Sequence, residues 1–108
     1  MSLSDMLASL EAELSELNGQ KELLLNILSK LNNASVKTDE IKKTSLQVLA
    51  INEKPFKEGI VDNVKSNIGR AADYISSTAL PMINKKIEEV ENSIEDVKQR
   101  IKEEEENQ

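Results

Sequence analysis

Five carboxylates, Glu88, Glu89, Glu91, Glu95 and Asp96, are the residues of this 108-residue sequence that most resemble a hard-cation site. Calcium sites of that type usually take their ligands from a loop turned by glycine. These five instead fill the polar positions between Ile87, Val90, Ile94 and Val97, which is the pattern of a solvated helix face. Other chemistry has fewer candidates still. His and Cys are absent, so the commonest general base, the thiolate nucleophile and the soft metal ligands are missing. No glycine-rich phosphate loop occurs, and the lysines are interleaved with acids. The expectation is a protein that is not an enzyme and uses no cofactor or metal.

Single residues that break the pattern around them are better candidates for recognition. Lys21 interrupts a run of leucines, and a polar residue in an apolar seam often selects register or partner. Its alternative is a stem lying along the seam with the ammonium reaching Glu88 or solvent. Phe56 is the only Phe, and Gly59 follows it closely. Phe56 either meets a partner or plugs the end of a bundle. Tyr74, the only Tyr, reads as a half-buried interface residue with a wet hydroxyl.

These residues must be held by helices. Leu3, Leu7, Leu10, Leu14, Leu17, Lys21, Leu24, Leu28 and Leu31 recur at alternating spacings of 4 and 3, which marks one face of a helix. Leu80, Ile83, Ile87, Val90, Ile94, Val97 and Ile101 do the same. Leu23, Leu25 and Ile27 widen the first stripe, and a wider stripe implies more than one neighbour. With aromatics at 2% of residues, burial must come from aliphatic side chains along helices. The middle is less regular. Asn32 to Ser35 weaken the first helix, and Thr38-Asp39-Glu40 would cap a new one. Phe56, Ile60, Val64, Ile68, Ala71, Ala72 and Ile75 give a further apolar face, and Pro81 should kink or divide the helix carrying it.

The predicted fold is all-α: an elongated antiparallel helical hairpin with coiled-coil-like packing, in one domain spanning 1–108. Arm 1 covers about 3–52, the turn 53–56 and arm 2 about 57–104, with an acidic frayed tail at 103–108. A break near 32–38 and a kink at Pro81 are left open. Pro55 opens the second arm as a first-turn proline. Folding back there places residue i near residue 109 − i, with Leu14 opposite Ile94. The uncovered side of the wide stripe predicts a helical protein partner or self-association. Partner-binding candidates are Lys21, Leu24, Leu25, Leu28, Phe56, Gly59 and Tyr74. A net charge of −6 speaks against nucleic acid and anionic lipid as partners. No apolar run is long enough for a membrane span, and Leu3 to Leu17, interleaved with acids, is not a Sec signal peptide.

Phe56-Lys57-Glu58-Gly59 at the midpoint and the stretch Met82 to Ile94 resemble a known family. The midpoint motif sits where the Trp-x-Gly turn of type VII secretion substrates would lie, with Phe for Trp and one residue more before Gly. The Met82 to Ile94 stretch is similar to the C-terminal helix of small proteins associated with LXG toxins. The family's Tyr-x-x-x-Asp/Glu export motif is absent, since Thr78 stands four residues after Tyr74. The resemblance implies a bacterial accessory protein, cytoplasmic or exported without a Sec signal. Its role would be to bind the N-terminal helical domain of a larger type VII substrate and support its stability and export. The alternative is a cytosolic coiled-coil chaperone or scaffold, prefoldin-like in its use of helical arms.

Overall fold

The computed structural model describes residues 2–48 and 54–107, with side chains described for 2–44 and 59–107. It is an all-α antiparallel helical hairpin, with no strand among the described residues. Helix α1 spans Leu3–Val48, α2 spans Lys54–Tyr74 and α3 spans Leu80–Glu106. A five-residue π-helical turn, Ile75–Ala79, joins α2 to α3. The predicted turn at 53–56 is in part helical, because α2 begins at Lys54 and Pro55 lies in its first turn. The rest of the connection, 49–53, lies outside the described residues.

Contacts divide the chain into two compact units. The terminal unit comprises Met1–Leu23 and Leu80–Gln108, and the central unit comprises Leu24–Ala79. In the terminal unit the start of α1 packs against α3. Ser2 caps α1, its Oγ accepting the Asp5 N–H at 3.1 Å, a cap that satisfies one donor left free at the helix start. Leu3, Leu7, Leu10, Leu14, Leu17 and Lys21 are half-buried, and Ile87, Val90, Ile94 and Val97 of α3 are buried. Both predicted seams are therefore the packed faces of this unit.

The central unit corrects three expectations. First, Thr38-Asp39-Glu40 does not cap a new helix; the break left open near 32–38 does not occur, and α1 runs through that stretch. Thr38 is no cap: its Oγ1 donates back to the Ala34 carbonyl at 2.7 Å, and the residue is only 7% exposed. Bonding to the previous turn lets a poor helix former sit inside a helix. Second, the pairing differs from 109 − i. Lys42 meets Asp62 at 2.8 Å and Asp39 meets Lys65 at 2.6 Å, where the predicted register would give Asn67 and Arg70. Both pairings lie five residues from the predicted register, somewhat more than one helical turn. Third, Ile60 and Val64 are exposed, while Val61, Ile68, Ala72 and Ile75 carry the packed face. The seam of α1 meanwhile continues past Leu31 as Ser35, Thr38 and Lys42, all at least half-buried. Its spacing persists, but its side chains turn polar.

The π-turn explains how Pro81 is accommodated. A 3–4 alternation carried on from Ile75 would bring Met82, Lys86 and Glu89 to the packed face. Burial falls one residue later, on Ile83, Ile87 and Val90. A π-turn holds one extra residue, which advances the stripe by that step. It also stands where Pro81 would otherwise deprive the Ser77 carbonyl of its donor. The Ser77 hydroxyl meanwhile donates to the Asp73 carbonyl at 2.5 Å.

Candidate functional site

The site is built from the central unit, because several of its aliphatic side chains stand outside its packed seam. In an antiparallel helix pair, two flanks run beside the packed seam, and each flank combines matching positions of both helices. The ion pairs Lys42–Asp62 and Asp39–Lys65 mark one flank. The other carries Ile27, Ala34 and Ile41 from α1, spaced by heptads, with Ile60, Val64 and Ala71 from α2. Ile27, Ile41, Ile60 and Val64 are all exposed, Ile41 by 57%. Tyr74 lies on the outer edge of this same flank and is 61% exposed.

Charge follows the same division. The central unit has eight basic and six acidic residues, a formal +2. The terminal unit has six basic and fourteen acidic residues, a formal −8, and the two values add to the chain's −6. On the apolar flank the charges among the described residues are Lys30 and Lys37, along the α1 edge. Lys30 has no acid three or four residues away in sequence. Glu40 stands on the back of α1, where Lys37, Glu40, Ile41 and Thr44 line a surface depression.

The predicted partner-binding residues divide between the units. Lys21 is half-buried in the leucine seam of the terminal unit. Among the described residues it makes no ion pair, to Glu88 or any other acid. Leu24 and Leu28 are half-buried seam residues of the central unit, and Leu25 is exposed on the ion-paired flank. Gly59 lies inside α2 with open space where a Cβ would stand and without positive φ. It is therefore not the turn residue that the Trp-x-Gly comparison implies. Phe56 has helical backbone, and its side chain lies outside the described residues. Ile60 and Val64 were legible as residues of an apolar face but not as exposed ones. Only the position of the partner helix separates flank from seam.

The carboxylates of α3 do not converge: no group of three or more potential metal ligands lies close enough to hold an ion among the described residues. The terminal unit has an open groove lined by Met6, Leu10, Val97, Asp96 and Arg100, which belongs to the seam between its helices. No described helix is long and apolar enough to cross a membrane. Comparison with known protein families, with curated proteins and with solved structures found no match.

Proposed function

We propose that this protein is a non-enzymatic helical partner protein that holds a helix of another protein on the apolar flank of residues 24–79. The observation that carries this reading is the exposed set Ile27, Ile41, Ile60, Val64 and Tyr74 beside a seam whose α1 side turns polar past Leu31. Each of these half-exposed aliphatic side chains offers roughly 1 kcal/mol if a partner buries the rest of it. A third helix laid along two antiparallel helices gives the layered packing of a bundle.

The finer reading makes the partner the N-terminal helical domain of a larger type VII secretion substrate, stabilised for export. It rests on the likeness of Met82–Ile94 to the C-terminal helix of LXG-associated small proteins. Gly59 being helical takes support from the Trp-x-Gly half of that likeness.

A photo-crosslinking residue at Val64, and one at Gly69 on the ion-paired flank, tests the proposal in the producing cell. Expected are crosslinks from Val64 to a helical segment of another chain, with few from Gly69. Equal crosslinking from both positions, or crosslinks to this chain alone, would contradict it.

A further inference from the structure

Resting on the docking flank just proposed, we infer that its occupant is an amphipathic helix whose apolar stripe is bordered by acidic side chains. Among the described residues the two charges along the flank are both positive. Lys30 and Lys37 stand seven residues apart on the α1 edge, about 10.5 Å along the helix. A heptad-patterned helix lying beside α1 can repeat a carboxylate at that interval and meet both ammonium groups. On the opposite flank, Asp39 and Asp62 are occupied by Lys65 and Lys42. Glu40 stands on the back of α1, three residues after Lys37, which leaves Lys30 as the flank cation with no acid within four residues in sequence. Ala34 and Ala71 lie between the Ile41–Val64 and Ile27–Tyr74 ends, and their short side chains leave room for a large one from the occupant.

A second copy of the chain fits this description poorly. Its terminal unit is acidic, but its Ile and Val stripe is already buried, and Leu23 and Met82 are its large exposed apolar residues. Its central unit would bring the same basic flank and no new carboxylates. An acid-bordered helix from a different chain supplies both the apolar stripe and the missing charge.

The probes are two fluorescent peptides of about three heptads. Both carry Leu and Ile on the stripe, one with Glu and one with Lys at the bordering positions. Like charge along each peptide keeps it from pairing with itself. Anisotropy titration of the full chain should show the Glu peptide binding about tenfold more tightly than the Lys peptide. Salt should narrow that gap. The double variant Lys30→Glu, Lys37→Glu should reverse the order, and Ile41→Gln should weaken both peptides. Equal binding of the two peptides, both weakened by Ile41→Gln, would overturn the acid selection and leave the docking flank standing. Glu-peptide binding unmoved by any of these variants would place the site elsewhere and overturn both. Two further outcomes overturn both: a concentration-dependent dimer abolished by Ile41→Gln with neither peptide bound, or retention on anionic phosphatidylserine vesicles instead of either peptide.

Discussion

The terminal and central units are both antiparallel helix pairs, and they place their aliphatic residues differently. In the terminal unit Val90 and Val97 are 4% exposed, and the polar side chains of α3 face outward. In the central unit Ser35, Thr38 and Lys42 of α1 face the aliphatic side formed by Val61, Ile68 and Ile75 of α2 and the π-turn, while Ile41, Ile60 and Val64 stand outside the seam. The same backbone geometry thus serves two ends. Where both sides of the seam are aliphatic, burial stabilises the pair itself; where one side turns polar, more of the apolar area remains available to another chain. Ion pairs do not replace the lost burial, because Lys42–Asp62 and Asp39–Lys65 are exposed and such pairs contribute little.

The sharpest way to break this contrast is to truncate one side chain in each unit. Ile94→Ala removes a buried side chain and should cost about 2–5 kcal/mol. Ile41→Ala removes an exposed one and should stay within about 0.5 kcal/mol. Chemical denaturation of the two variants beside the parent measures both. Equal losses would mean that the two units are packed alike.

The junction offers the next largest effect. Deleting Ser76 alone should convert the π-turn to α-helix and leave Pro81 in a helix interior, at a cost of about 3 kcal/mol. The same deletion with Pro81→Ala should recover most of that loss, because the 3–4 alternation from Ile75 then reaches Ile83, Ile87 and Val90 directly. Thermal melts of both variants test this. No recovery in the double variant would mean that the π-turn is not an inserted residue.

Two smaller effects sharpen the comparison from within the seams. Lys21→Leu completes an aliphatic stripe and should stabilise the chain by about 1–2 kcal/mol. If Lys21 also selects partners, native mass spectrometry of the variant should show new homo-oligomers. Destabilisation would mean that Lys21 is not on the seam. Thr38→Val keeps the shape of a buried residue and removes a hydroxyl bonded to a carbonyl of its own helix. A gain of about 0.5 kcal/mol in urea unfolding is expected. A loss larger than that would show that the hydroxyl holds α1 together at its weakest stretch.

The terminal unit was legible because its stripes are aliphatic, with Lys21 the one interruption. Leu3 to Leu17 and Ile83 to Ile101 each fix a helix phase without reference to the other. The central unit was legible only as helix. Asn32 to Thr38 carry the residue types of a boundary, and the Thr38–Ala34 bond, with burial, overrides that preference. Ile60, Val64 and Ile68 follow an i, i+4 row that looks like a seam. The face they would meet on α1, Ser35, Thr38 and Lys42, has no apolar signal to correct the phase. The extra residue of the π-turn was hidden because Ala79 and Leu80 suit either phase. The flank itself depends on where the second helix lies, which no single-helix period contains.

The most direct test of the division between stabilising and docking units is Ile41→Gln, measured twice on the same preparation. Its melting temperature and its affinity for the Glu-bordered peptide should be compared with those of the parent and of Ile94→Ala. The expected result is melting within a degree or two of the parent, on the scale of a surface change, with peptide binding weakened about tenfold, as for one well-placed aliphatic contact. A fall in melting temperature comparable to that of Ile94→Ala, with peptide binding unchanged, would show that Ile41 supports the fold and would contradict the account.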